Sequence, residues 1–218
     1  MPEEKRSIEG FNSISFYAYG DVVIKQGDFE EVRIEADEAI LERIETVVQD
    51  GTLIIRLRTD WLETMGHILM TGLSGIPIHY RLQVVDLKAL KVMGAASVEV
   101  PALRVDTFKL VLGGAGSIDI DNLQGAEFNV QLKGTGSITT AGNVLDQKVT
   151  LAGAGTYDGR HLITERSKVE LKGAGSVNVR AEDELKVELK GLGSVVYFGD
   201  PHLRKSVSGL GEISHGGM

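Results

Sequence analysis

A five-residue motif, Gly-x-Gly-[Ser/Thr]-apolar, recurs at nearly constant intervals through the second half of the chain. Its copies are GAGSI at 114–118, GTGSI at 134–138, GAGTY at 153–157, GAGSV at 173–177 and GLGSV at 191–195, with degenerate copies GAASV at 94–98 and GLGEI at 209–213. Successive copies are 20, 20, 19, 20, 18 and 18 residues apart. Such regularity is typical of a repeat protein, in which each unit buries its apolar face only by stacking on its neighbours.

Apolar and polar residues alternate on both sides of the motif, as in Val187 and Leu189 before it and Ile118 and Ile120 after it. A third apolar cluster in each unit is marked by Leu103, Leu123, Leu145, Leu162, Leu185 and Leu203. Alternation predicts half-buried strands, and a unit this short leaves no room for a regular helix. We therefore expect an all-β fold. The expected architecture is a right-handed, single-stranded parallel β-helix (β-solenoid), three-sided, with about 20 residues per coil.

The glycines of the motif are expected at the corners between strands, where the backbone needs positive φ or close approach to the next coil. These corner glycines are Gly114, Gly116, Gly134, Gly136, Gly153, Gly155, Gly173, Gly175, Gly191, Gly193, Gly209 and Gly211. The hydroxyl residues that follow them should stack as a ladder: Ser117, Ser137, Thr156, Ser176 and Ser194.

We expect one domain over 1–218, with regular coils at 91–215 and irregular N-terminal coils at 8–90. Asp50-Gly51 lies between two β-rich runs and predicts a hairpin. Turns are expected at Gly20-Asp21 and Gly27-Asp28, and a single helical turn within 37–44. The N-terminal strands should enter the same solenoid and form its cap. An apolar-rich insertion at 59–79 interrupts the pattern.

The chain is acidic, with 23 Lys and Arg against 31 Asp and Glu, a net charge of −8. Nucleic-acid binding needs clustered basic residues, so this balance argues against a nucleic-acid partner. No run approaches 18 apolar residues, and no transmembrane segment is predicted. The start, MPEEKRSIEG, has no apolar core of a signal peptide. Export would therefore require a leader that is absent from this chain, and a cytoplasmic location stays open.

Motifs for catalysis, cofactors and metals are missing from the sequence. It has no cysteine, no phosphate-binding loop and no nucleophile elbow, and its five histidines are scattered. Asp119 and Asp121 follow a glycine-rich run but are interpreted as solvated outward positions rather than calcium ligands. Glu170 and Glu188 occupy equivalent positions, as do Lys172 and Lys190, which predicts a mixed-charge strip with diagonal contacts. We expect no enzyme, no cofactor and no metal.

Two regions are candidates for contacts with a partner. The insertion at 59–79 carries the only tryptophan among several apolar residues, so it either shields the solenoid or forms a partner surface. The candidate partner surface is Trp61, Leu62, Met65, Ile68 and Leu69. The last coil, GLGEISHGGM, has no obvious cap, so a homo-oligomer through the solenoid ends or the insertion is possible. Lys205 and Glu212 on that coil could instead oppose stacking.

The sequence resembles a bacterial family named after auto-transporter adhesin heads, the head GIN domain. Besides the glycine motifs, the matching positions are Phe11, Ile14, Gly20-Asp21-Val22, Ile24, Gln26-Gly27 and 51–55. The insertion at 59–79 departs from the family pattern. The resemblance implies a right-handed β-helix in an exported envelope protein, with no established activity and no catalytic residues to carry over.

These features favour a non-enzymatic binding or scaffold module of the bacterial cell envelope, adhesin-head-like, whose partner is an unidentified protein or glycan. The first alternative is a structural β-solenoid that polymerises end to end through its terminal coils. The second is a polysaccharide-active β-helix enzyme, which would need specific carboxylates and a groove walled by long loops. After residue 90 the loops are too short to build such a groove.

Overall fold

A computed structural model describes residues 2–58 and 77–217, which form nineteen strands and one short helix. The elements before the repeats are β1 (Glu3–Arg6), β2 (Ser13–Phe16), β3 (Tyr19–Gln26), β4 (Glu31–Glu35), α1 (Glu38–Leu41), β5 (Ile44–Gln49), β6 (Thr52–Leu57), β7 (His79–Val84) and β8 (Ala89–Val92). Those of the repeats are β9 (Ala95–Val100), β10 (Leu103–Arg104), β11 (Thr107–Leu112), β12 (Ala115–Leu132), β13 (Thr135–Leu151), β14 (Ala154–Leu171), β15 (Ala174–Arg180), β16 (Glu184–Leu189), β17 (Leu192–Phe198), β18 (His202–Val207) and β19 (Leu210–His215).

Strands of successive coils pair in parallel, with the sequence repeats directly in register. Leu112 pairs with Leu132, Leu132 with Leu151, and Leu151 with Leu171. The column continues through Leu189 to Val207 in the last coil. Each glycine motif likewise lies beside the motif of the next coil. The predicted parallel β-solenoid is confirmed.

The core is a set of stacked columns, because the side chains of a strand alternate between its two faces. Inward positions on both sides of the motif are buried in most coils, for example Val169, Leu171 and Val177 at 0% exposure. Phe108 and Phe128 stack with ring planes 6° apart and centroids 5.7 Å apart. Identical or similar side chains therefore pack on one another along the solenoid, which is how repeats that are unstable alone stabilise each other.

The third apolar cluster of the sequence analysis is wrong as a single column. Leu103 pairs with Leu123, but Leu123 pairs with Gly142, and Leu145 is 46% exposed. Leu185 pairs instead with Ser167, in the column that begins with Phe108. These leucines lie 9 to 12 residues after the first residue of their motif, and the register also shifts after Ile120 and again after Thr139, so they do not share one position in the coil.

The N-terminal strands are interleaved with each other. Strand β2 pairs in parallel with β6 on one side and with β8 on the other. Strand β3 likewise lies between β7 and β9. The coil at 13–26 is thus enclosed by β6 and β7 on one side and by β8 and β9 on the other, although β6 to β9 follow it in the chain. The expectation that the N-terminal strands enter the same solenoid is confirmed.

Antiparallel strands cover the N-terminal end. Strand β5 folds back on β6 through the predicted Asp50-Gly51 turn, whose φ angles of 50° and 69° suit a tight hairpin. Strand β4 pairs antiparallel with β7, and β1 antiparallel with β4. The predicted helical turn is α1, whose N-terminus is capped by the side chain of Asp37. These antiparallel strands and α1 form the cap that the sequence predicts.

The predicted turn at Gly20-Asp21 is wrong, because both residues lie inside β3. Gly20 pairs with Ala96 and so occupies the position of the motif's second glycine, with φ of 127°. A Cβ at this position would overlap the carbonyl oxygen of Ile78 in the neighbouring coil. The glycine marks a corner between two coils rather than a reversal of the chain, and Ala18–Val22 is an unrecognised copy of the repeat.

The C-terminal end differs from the N-terminal one. Strand β18 pairs with β16 and strand β19 with β17, and within 2–58 and 77–217 no further strand pairs with their outer edges. Val207 and Leu210 are 48% and 78% exposed. The stack of coils therefore ends in unpaired backbone groups beside exposed apolar side chains.

Candidate interaction surface

The partner surface predicted on the insertion (Trp61, Leu62, Met65, Ile68 and Leu69) lies outside the described residues. Only the end of the insertion is described, where Ile78 is buried and His79 begins β7. The described residues therefore give no geometry for that prediction. Their own candidate surfaces are the outer faces of the solenoid.

All twelve corner glycines lie where two coils approach closely. A Cβ on any of them would overlap a backbone carbonyl of the preceding coil. Gly136 illustrates the second glycine of the motif, since its φ is 138° and the obstructing atom belongs to Gly116. The glycines let the coils stack at strand spacing through the corner, and this regular stacking aligns the outward side chains of all coils.

Hydroxyl side chains form one such aligned column, which we call the hydroxyl ladder. It contains Ser97, Ser117, Ser137, Thr156, Ser176 and Ser194, all in register. The predicted ladder is confirmed and begins one coil earlier than expected. Ser176 Oγ donates a 3.3 Å hydrogen bond to Thr156 Oγ1. Small outward residues such as Ala115 and Ala154 flank it on one side, and a column that includes Glu99, Asp119 and Asp158 flanks it on the other.

A second column, on the strands before the motif, carries cations. This basic ladder consists of Lys109, Lys148, Lys168, Lys186 and Arg204, with Asn129 between the first two. Its members point away from the core, and those before the last coil alternate with buried residues. Adjacent rungs lie about 4.8 Å apart along the solenoid. Six equivalent rungs therefore place five basic side chains along roughly 24 Å of one face.

Two carboxylates beside the basic ladder are each held by two lysines. Glu170 binds Lys168 Nζ at 2.8 Å and Lys172 Nζ at 2.7 Å. Glu188 binds Lys186 and Lys190 in the same way, at 3.2 and 3.3 Å. The predicted mixed-charge strip is present, but its ion pairs join residues of one strand rather than diagonal neighbours. Hydrogen bonds from Lys168 and Lys172 lower the pKa of Glu170 to about 2.

A shallow groove runs beside the basic ladder. Its volume is about 210 Å³, and its lining comes from four successive coils, including Asp146, Arg166, Lys168, Lys186 and Arg204. Asp146 accepts two hydrogen bonds from the guanidinium of Arg166, at 2.6 and 2.7 Å. This pair holds the pKa of Asp146 below its usual range and that of Arg166 above it. The groove follows the solenoid axis and is lined by charged and polar groups.

A polar cluster lies in the interior of the solenoid. Tyr157 occupies a column otherwise filled by Ile138, Val177 and similar residues, and it is fully buried. Its hydroxyl shares a 2.7 Å hydrogen bond with Thr140 Oγ1 and accepts one from the amide of Gln147. Burial raises the pKa of Tyr157 above its usual range. Since these groups satisfy one another away from solvent, the cluster stabilises the core and offers no accessible site.

The sequence of the chain matches one family profile, described as "Putative auto-transporter adhesin, head GIN domain", over residues 10–201. The chain belongs to the head GIN domain family. The match spans the interleaved coils at the N-terminus and most of the glycine-motif coils. The resemblance seen in the sequence is thereby confirmed. No curated protein matches the chain.

Solved structures of other proteins share this head GIN domain fold. A putative adhesin from Bacteroides fragilis NCTC 9343 has a TM-score of 0.88 at 19% identity, covering 98% of this chain and 96% of that chain. A putative adhesin from Parabacteroides merdae ATCC 43184 has a TM-score of 0.71 at 18% identity, covering 99% and 96%. A putative lipid binding protein from Parabacteroides distasonis ATCC 8503 has a TM-score of 0.74 at 18% identity, again covering 99% and 96%. At these identities the likeness shows the fold.

The head GIN domain has two further properties that bear on its surfaces. No helix in the described part of the chain is long and apolar enough to cross a membrane. Within 2–58 and 77–217, no group of three or more potential metal ligands converges.

The basic ladder is absent from the predictions made from the sequence, although a signal for it exists. Its members stand five residues before the first glycine of each motif, at positions 109, 129, 148, 168, 186 and 204. The apolar positions and the Glu and Lys residues nearer the motif do not by themselves reveal it. Aligning every position of the repeat would have shown the column.

Proposed function

We propose that this head GIN domain is a non-enzymatic binding module of the bacterial cell envelope, which presents an extended, repetitive surface to a protein or glycan. The observation that carries the proposal is the register of the coils. Because every coil repeats the same outward positions at strand spacing, the molecule displays long columns of like side chains. Such a surface suits an extended or repetitive ligand better than a small substrate, which needs a concave pocket.

Family membership supports the envelope location and the adhesin-like role, since the family and two of the similar structures are described as adhesins. In this proposal the protein is exported to the periplasm or the cell surface. Fractionation of the producing bacterium tests the location, and we expect the protein in the envelope fraction or exposed to added protease. Recovery only with cytoplasmic markers would contradict it.

The binding function is tested with purified protein immobilised on beads. The beads are exposed to a glycan array, to envelope fractions and to intact cells. We expect saturable retention on at least one of these surfaces, with beads carrying an unrelated acidic protein of similar size as the control. If the domain-coated beads bind no more than the control beads on all three surfaces, the binding proposal fails.

End-to-end self-association is the second candidate, favoured by the unpaired edges of β18 and β19 and by the exposed Val207 and Leu210. Light scattering coupled to size exclusion, over a hundredfold dilution, tests it. A mass that grows with concentration supports association through this end. A mass that stays at one chain throughout contradicts it. No feature of the described residues favours the third hypothesis, a polysaccharide-active enzyme.

A further inference from the structure

Repulsion between the cations of the basic ladder lowers the stability of the fold. Lys148, Lys168 and Lys186 lie in register on neighbouring strands, and like charges directly opposite each other destabilise a sheet. Lysines often protect exposed sheet edges, but these three lie on interior strands that are paired on both sides. Alternating charges would give the same solubility without the repulsion. Neither edge protection nor solubility explains the column.

The ladder is only partly neutralised by its surroundings. Glu170 and Glu188 each serve two lysines, so four ammonium groups share two carboxylates. In the described part of the chain, Lys109, Lys148 and Arg204 make no ion pair. The six strand segments that carry the column (107–113, 127–133, 146–152, 166–172, 184–190 and 202–208) hold ten basic and five acidic residues. This face is therefore positive in a protein whose net charge is −8.

The ladder itself is one side chain wide, although Arg166 lies beside it and Lys172 and Lys190 lie beyond the carboxylates on its other side. Carboxylates flank the ladder on both sides, with Glu127 and Glu184 on one side and Glu170 and Glu188 on the other. A broad polyanion such as duplex nucleic acid would press its phosphates against these acids, which repel them. A thin chain with one anionic group per unit could follow the ladder and the adjoining groove along the axis.

From this arrangement we infer that the basic ladder binds a linear anionic polysaccharide with one carboxylate per sugar unit, lying along the solenoid axis. The inference rests on the proposed binding function and names its ligand class. Each rung except that of Asn129 supplies an ammonium or guanidinium group to one carboxylate. The regular rungs match a regular polymer, so several weak, exposed ion pairs add up along one ligand chain.

Polygalacturonate is the probe for this inference, with dextran as the neutral polysaccharide and duplex DNA as the wide polyanion. Binding is measured by isothermal titration calorimetry at low salt and then as salt increases. We expect the wild-type protein to bind polygalacturonate but not dextran, and binding to weaken as salt screens the exposed charges. No binding of polygalacturonate at low salt overturns the inference.

A matched pair of variants locates the site. The ladder variant carries Lys109→Gln, Lys148→Gln and Lys186→Gln. The control carries Lys25→Gln, Arg81→Gln and Arg160→Gln, which change the net charge equally and lie outside the six strand segments that carry the ladder. We expect the ladder variant to bind at least about tenfold more weakly, as the loss of three exposed ion pairs predicts, and the control to stay within about twofold. Equal losses of affinity in both variants would show that binding responds to net charge alone, and would overturn the assignment of the site to the basic ladder.

Two further outcomes separate this inference from the proposed function. If duplex DNA binds as tightly as polygalacturonate, the assignment to a thin glycan is wrong. If domain-coated beads bind cells or array glycans but wild-type protein ignores polygalacturonate, the binding function stands and the ladder assignment fails. Circular dichroism and melting of every variant, expected to match those of the wild type, show that the fold is intact.

Discussion

The carbonyl oxygen of Gly116 occupies the space that a Cβ on Gly136 would need in the next coil. Gly136 also adopts φ of 138°, which residues with a side chain rarely adopt. Both constraints act at one corner, and the same obstruction recurs at every corner glycine of the motif. Close backbone stacking at the corners thus depends on glycine, and the aligned surface columns depend on that stacking.

Gly136→Val should therefore destabilise the protein. The substitution adds backbone strain and forces the coils apart, so we expect the free energy of unfolding to fall by more than about 1 kcal/mol. Urea denaturation measures the change. Gly217→Val is the control, because a Cβ there meets nothing within 4 Å. Equal stability of the two variants would contradict the role assigned to the corner.

Tyr157→Phe should cost stability because it leaves buried polar groups without a partner. Thr140 Oγ1 and the amide of Gln147 both bond to the lost hydroxyl. We expect a loss of about 1–3 kcal/mol in the free energy of unfolding. Adding Thr140→Val should recover part of that loss, since it removes one orphaned group. A double-mutant cycle measures the coupling, and purely additive effects would count against the network.

Glu170 should make stability depend on pH in acid. Its pKa is about 2 in the folded protein and near 4.5 in the unfolded chain, so the unfolded state binds more protons between these values. This contribution is fully present above about pH 4.5 and is lost as the pH falls towards about 2. Glu170→Gln should therefore lose less stability than the wild type between pH about 5 and about 3, measured by urea denaturation.

The partners of Glu170 provide a check on that assignment. Lys172→Gln removes one of the two hydrogen bonds that lower the pKa. The carboxyl resonance of Glu170, followed by nuclear magnetic resonance, should then titrate at a higher pH than in the wild type. An unchanged titration would show that Lys172 does not determine the pKa.

Lys205→Val should promote association through the C-terminal coil. Lys205 pairs in register with the buried Val187, so it stands where the other coils place an inward valine or leucine. A strand added to this end would have to cover the charge, which opposes stacking. Without that charge, we expect the mass in light scattering to rise with concentration.

Lys190→Val is the matched control for the C-terminal coil. It adds the same apolar group to an outward position of the preceding coil, where Lys190 pairs with Glu188. We expect its mass to stay as in the wild type. If both variants associate alike, general surface hydrophobicity rather than the open coil is responsible.

The repeat alone predicted the solenoid, because its alternation determines which side chains face the core and its constant spacing sets the register between coils. The hydroxyl ladder and the Asp50-Gly51 hairpin follow from the same local rules. Even the basic ladder is encoded in the repeat, at the position five residues before the first glycine.

The tertiary structure decided what depends on contacts between distant segments. The order of the N-terminal coils arises because β2 and β3 find partners at 52–57 and 79–84, and no local pattern encodes such a choice of neighbour. The register also shifts near Ile120 and Thr139, and Leu145, next to the buried Val144, faces the surface. Two further features arise only when coils stack, because each involves side chains from different coils. They are the hydrogen bonds of Tyr157 and the net positive charge of the face that carries the basic ladder.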